Sequence, residues 1–178
     1  MALKATIYKA ELTISDMDRN YYQQHQLTIA RHPSESEERM MVRLLAFTLH
    51  ASDSLKFTKG IGSDNEPDIW QKSLSDEIEL WIELGQPDEK RIRQACGRAK
   101  EVFLYCYSGH GAEIWREQIF AKIATIANLH IYNLATQQRS DLAALANKNM
   151  DLQATIQDNE VWLSNGDQSA TINLLCWK

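Results

Sequence analysis

Cysteines are few and never closely paired. Cys96, Cys106 and Cys176 form an odd, widely spaced set without a CxxC motif, which suits reduced thiols and argues against a disulfide framework or a zinc site. Cys106 and Cys176 read as buried strand residues, and no local signature of a catalytic cysteine surrounds any of the three. Long apolar runs are missing too. No stretch approaches the ~20 residues of a membrane span, and Met1-Ala2-Leu3-Lys4-Ala5 lacks the apolar core of a secretion signal, so the expectation is a cytoplasmic protein with no membrane partner. The glycine-containing loop Lys59-Gly60-Ile61-Gly62-Ser63-Asp64-Asn65 carries no nucleotide-binding motif. Positive charge is not in excess: a net charge of -5 argues against nonspecific coating of nucleic acid, which relies on cations neutralising phosphates. Repeats, low-complexity tracts and linkers are absent. What remains is a chain of 178 residues, 44% hydrophobic and 24% charged, suited to one compact domain over residues 1–178 that buries roughly two thirds of its unfolded surface.

The pattern along the chain is α/β, with a mixed sheet. Residues 3–15 and 20–30 read as a long hairpin in which Ala5, Ile7, Ala10, Leu12 and Ile14 broadly alternate. The alternation slips by one near Lys9, which predicts a bulge. Ser34 has N-cap character, with Glu37 at capping-box spacing, ahead of a helix over 34–51 that is apolar on most sides. Short strands are expected at 54–58, 68–73 and 77–84, then a helix over 87–99 and a buried strand at 102–107. A helix over 112–125, a strand at 129–134 and a helix over 136–147 follow. The last third ends in antiparallel strands at 152–157, 160–163 and 170–177, with Ser164-Asn165-Gly166-Asp167 as a turn.

Chemistry is suggested by two carboxylates. Asp68 follows Pro67 in Glu66-Pro67-Asp68-Ile69-Trp70, and Glu83 ends the alternating run that starts at Glu77. A hairpin turning in Ser73-Leu74-Ser75-Asp76 sets Asp68 nearly opposite Glu83, on one face of the sheet. Two carboxylates about 5 Å apart repel each other, and a hard cation such as Mg²⁺ is the usual remedy. The same parity also suits a solvated face, since Glu77, Glu79 and Glu83 share it. Pro67 and Gly85-Gln86-Pro87 place both carboxylates where strands meet loops. Beyond them, Lys90 to Lys100 carries five cations and no acid, among them Arg91, Arg93 and Arg98. That segment is either a solvated helix face or a nucleic-acid contact.

The order helix, three strands, helix, strand over residues 34–107 resembles the common αβββαβ core of the PD-(D/E)XK nuclease superfamily, the restriction-endonuclease-like fold. Here it is flanked by an N-terminal β-hairpin and C-terminal antiparallel strands. More narrowly, the strings HPSESEERMMVRLLAF (32–47), EPDIW (66–70), IELWIELGQPDEKRIRQACGRA (78–99) and YNL (132–134) resemble the YaeQ family of small bacterial proteins over essentially the whole chain. The resemblance implies that Asp68 and Glu83 are metal ligands for Mg²⁺, and that Glu38 of the first helix assists them, with Glu35 in reserve. Glu38 equally suits a capping or ion-pairing role.

One departure from the superfamily pattern stands out. The lysine expected two residues after Glu83 is Gly85 in this chain. Lys90, reaching back from the next helix, and Gln86 are the candidate substitutes. Two functions follow as expectations: metal-dependent phosphodiester hydrolysis on nucleic acid, with Glu38, Asp68, Glu83, Gln86 and Lys90 in the catalytic site, or a catalytically inactive regulatory module that keeps the fold. The second would bind nucleic acid through Lys90, Arg91, Arg93 and Arg98, or a protein partner that the sequence does not specify.

Overall fold

The structure, a computed structural model, describes residues 3–178. Met1 and Ala2, which open the segment read above as lacking a secretion signal, lie outside the described residues. The chain divides into two compact units, residues 1–48 with 137–174, and residues 49–136 with 175–178.

The first unit is built on β1 (Thr6–Asp16) and β2 (Tyr21–Arg31), an antiparallel hairpin. β1 also pairs in parallel with β8 (Asn149–Gln157), which continues through β9 (Glu160–Ser164) to β10 (Ser169–Asn173). The result is a five-stranded sheet ordered β10-β9-β8-β1-β2. Its register is continuous from Thr6↔Arg31 to Asp16↔Tyr21, so the bulge expected near Lys9 is not there. Tyr8 resolves the apparent slip: it joins Ala10, Leu12 and Ile14 on the buried face, and Ile7 points out and is exposed. The helix α1 (Glu37–His50) begins later than expected. Its cap is Ser36, whose Oγ accepts from Arg39 N–H at 3.1 Å, while the Ser34 hydroxyl bonds His32 Nδ1 instead. Residues Met40 to Thr48 of α1 are buried in succession, and Phe47 meets His25 of β2 edge to face. Arg39 and Arg43 converge on buried Glu35, at 3.0 and 2.9 Å. The short α4 (Thr136–Ala143) completes this unit.

The second unit is a six-stranded sheet ordered β11-β7-β6-β5-β4-β3. Its strands are β3 (Leu55–Phe57), β4 (Ile69–Lys72), β5 (Ile78–Leu84), β6 (Ala99–Cys106), β7 (Leu129–Asn133) and β11 (Leu175–Cys176). β3, β4 and β5 are antiparallel, whereas β5, β6 and β7 run parallel. The turn between β4 and β5 falls where expected, with Ser73 N–H donating to Glu77 O at 2.9 Å and Asp76 at φ 65°. The helices α2 (Glu89–Arg98) and α3 (His110–Ile123) cover one face, burying Trp81, Val102, Leu104 and Ile131 with Ile92 and Ile119. On the other face, Phe103 stacks on His130 and Tyr105 on Tyr132, and the Tyr105 hydroxyl bonds His50 Nε2 at 2.6 Å. The strand expected over 170–177 is in fact two, β10 in one sheet and β11 in the other. Cys176, expected to be buried, is exposed because β11 is a two-residue edge strand.

Candidate functional site

Asp68 and Glu83 lie close to each other. Ile69 faces Ile82 across β4 and β5, and Asp68, the residue before β4, donates its N–H to Ile82 O at 3.1 Å, which brings it beside Glu83, the residue after Ile82. Both are buried, at 4% and 7% exposure, which rules out the solvated-face reading for Glu83; Glu77, at the other end of the run, is exposed. The pair lies at the carboxyl end of β5, where β6 and β7 also end, and open α/β sheets bind ligands beyond the carboxyl ends of parallel strands.

Each carboxylate has defined partners. Asp68 Oδ2 accepts from Leu84 N–H at 2.9 Å, so it closes the backbone at the exit of β5. Glu83 Oε2 accepts from Trp81 Nε1–H at 3.2 Å, as the two-residue parity of a strand requires. Glu83 Oε1 accepts from Arg91 Nε–H in an ion pair. Burial pushes the Glu83 carboxyl above the ordinary carboxylate range, with a smaller push from the negative charge of Asp68; Arg91 and Trp81 oppose the rise without cancelling it.

Arg91 comes to Glu83 because of how α2 starts. Asp88 is the N-cap, its side chain accepting from Arg91 N–H at 2.8 Å, and this fixes Arg91 in the first turn, directed at the end of β5. Lys90, one residue earlier, is exposed. Gln86 is exposed too, its amide nitrogen 3.7 Å from where a Cβ on Gly111 would sit, at the start of α3. Gly85 has φ +97°, a conformation that side chains rarely adopt, so the site's missing lysine cannot simply be restored there. Glu38 belongs to the first unit, where it pairs with Arg139 at 3.3 Å. Arg93 bonds Glu89 and Lys122 O, and Arg98 bonds Asn65 O at 2.8 Å. Three of the four cations read as a nucleic-acid surface are thus bonded within the protein.

The sequence reading missed two features. One is Arg91 as the partner of Glu83; the cap at Asp88 was the available signal. The other is Asn133 at the end of β7, which is 9% exposed and whose Oδ1 has no hydrogen-bond partner. A buried acceptor of this kind calls for water or a ligand. Among the described residues no three histidines, cysteines or acids converge as a metal-binding group. The donors of the pair are carboxylate oxygens and so fit a hard cation such as Mg²⁺ in kind, but Arg91 already supplies positive charge at Glu83.

Comparison with known proteins decides the family. The model of the YaeQ protein family matches residues 1–174. The chain belongs to the YaeQ family. It is 47% identical over 178 residues to the uncharacterized YaeQ protein of Escherichia coli (strain K12), covering all of this chain and 98% of that one. The same identity and coverage hold for the uncharacterized YaeQ protein of Salmonella typhi. Among solved structures, YaeQ protein from Xanthomonas axonopodis pv. citri superposes with a TM-score of 0.95 at 43% identity, over 98% of both chains. YaeQ protein from Pseudomonas syringae gives 0.93 at 32% identity, over 98% of this chain and 96% of the other. The mixed α/β architecture is therefore that of the YaeQ family. No helix among the described residues is long and apolar enough to cross a membrane.

Proposed function

We propose that this YaeQ-family chain is a cytoplasmic, nuclease-like protein of the PD-(D/E)XK type, whose Asp68 and Glu83 bind one Mg²⁺ ion and which hydrolyses phosphodiester bonds in nucleic acid. The observation that carries this is the placement of two buried carboxylates side by side at the carboxyl edge of a partly parallel sheet, Asp68 just before β4 and Glu83 near the end of β5. The chain order α1-β3-β4-β5-α2-β6 supports it. A divalent ion held there supplies Lewis acidity and lowers the pKa of bound water. The chain's own part is to hold Asp68 against Leu84 N–H and to shield Glu83 from solvent. Gln86 and Lys90 are the groups of the same unit left to orient water or phosphate. With Gly85 in place of the lysine, the reaction is slow, because losing one electrostatic donor costs ~100- to 1000-fold in rate.

The ion pair of Arg91 with Glu83 favours a second reading, a catalytically inactive module that binds nucleic acid or a protein partner. One assay separates the two: single- and double-stranded DNA and RNA incubated with Mg²⁺ or Mn²⁺ and the wild type, Asp68→Ala or Glu83→Ala. Slow cleavage by the wild type that falls about 100-fold or more in each variant supports hydrolysis. Equal cleavage by all three contradicts it, and retention of an oligonucleotide without cleavage selects the binding module.

A further inference from the structure

Arg91 joins the carboxylate pair to a loop. Its Nε donates to Glu83, Nη1 to Asp64 O at 2.9 Å and Nη2 to Glu66 O at 3.0 Å. Seven positions on, Arg98 repeats the contact by donating from Nη1 to Asn65 O at 2.8 Å. The Trp81 ring lies under both guanidinium groups, 6.0 and 5.2 Å from its centroid. The loop reaches the other carboxylate as well, for a Cβ on Gly60 would lie 3.8 Å from Asp68 Oδ1. Residues 59–66 therefore flank both members of the pair, at Asp68 through Gly60 and at Glu83 through Arg91.

We infer that Arg91 is the positioning residue and the gate of this site: its guanidinium and a divalent cation compete for Glu83, and when Arg91 leaves, the loop of residues 59–66 is loosened, with Arg98 still bonded to Asn65 O. The inference rests on reading Asp68 and Glu83 as a cation site. Its physical basis is the rigid planar fork of arginine, which serves three acceptors here in one orientation. Moving Nε off Glu83 turns both Nη groups away from the carbonyls of Asp64 and Glu66. Two positive groups within a few ångströms on one buried carboxylate repel each other strongly, so the site holds one of them at a time.

Two measurements on the full chain test this, both read without any substrate. In calorimetry with Mn²⁺, Arg91→Met binds about tenfold more tightly than the wild type, and adding Glu83→Gln to that variant abolishes binding. In limited trypsin digestion, saturating Mn²⁺ raises wild-type cleavage after the exposed Lys59 about fivefold, and Arg91→Met is cleaved quickly without metal. Equal or weaker binding by Arg91→Met overturns the gate, as does unchanged cleavage at Lys59 in Mn²⁺-saturated wild type. The second of these needs no variant to fold. Absence of Mn²⁺ binding in every protein overturns the cation site itself and the gate with it, whereas binding without loop loosening overturns the gate alone.

Discussion

At Glu83, burial and charge pairing act in opposite directions on one carboxyl group. Burial is the larger and leaves the folded pKa raised. A carboxyl raised above its unfolded value of about 4.3 holds its proton longer in the folded state. Its contribution to stability is therefore complete below that value and is lost as pH rises through the folded pKa. Urea midpoints measured from pH 4 to 8 are expected to show the wild type losing stability relative to Glu83→Gln as pH rises above about 4.3. A difference that stays flat, or runs the other way, contradicts the burial argument. The sequence showed Glu83 as a candidate but not its burial, because Glu77, Glu79 and Glu83 look alike at a period of two. Only the arrival of α2 over one end of β5 separates exposed Glu77 from buried Glu83. The choice of Arg91 over Lys90 was hidden for a related reason. A helix taken to start near Pro87 does not set the phase that the Asp88 cap imposes.

Element boundaries depend on single hydrogen bonds that composition does not reveal. Ser34 and Ser36 both precede α1, and Glu37 at capping-box spacing pointed to Ser34, yet the hydroxyl that meets a helical N–H is that of Ser36. Ser36→Ala is expected to cost ~1 kcal/mol, and Ser34→Ala less than about 0.5 kcal/mol, by urea unfolding. A larger loss at Ser34 would contradict the assignment. The first hairpin was legible to within a few residues, because Ala10, Leu12 and Ile14 alternate on the buried face of β1. Its supposed bulge came from passing over Tyr8 as an inward residue; the ring is buried and its hydroxyl approaches Glu37 Oε1 at 3.4 Å. The strand expected over 170–177 could not be divided from sequence. Ala170 and Ile172 are buried in one sheet, Trp177 in the core of the other unit, and alternation carries no label for which sheet a residue joins.

Over the whole molecule, the order of elements was readable and their assembly into two sheets was not. Local patterns give strands and helices, but the parallel pairing of β1 with β8 joins Lys9 to Asn149, far apart in the chain. The placement of the candidate site was readable for the opposite reason. Asp68 and Glu83 are brought together by one hairpin turning at residues 73–76, and an irregularity between Gln71 and Lys72 shifts its register by one on the way to them, a detail the sequence did not show. That locality makes the pair the part of the account most open to direct test. The deciding measurement is a calorimetric titration of Mg²⁺ and Mn²⁺ into the wild type and the Asp68→Ala/Glu83→Ala double variant. Saturable binding by the wild type that disappears in the variant is the predicted result; no wild-type binding at millimolar metal, or binding that survives the double substitution, would contradict the carboxylate pair as a cation site.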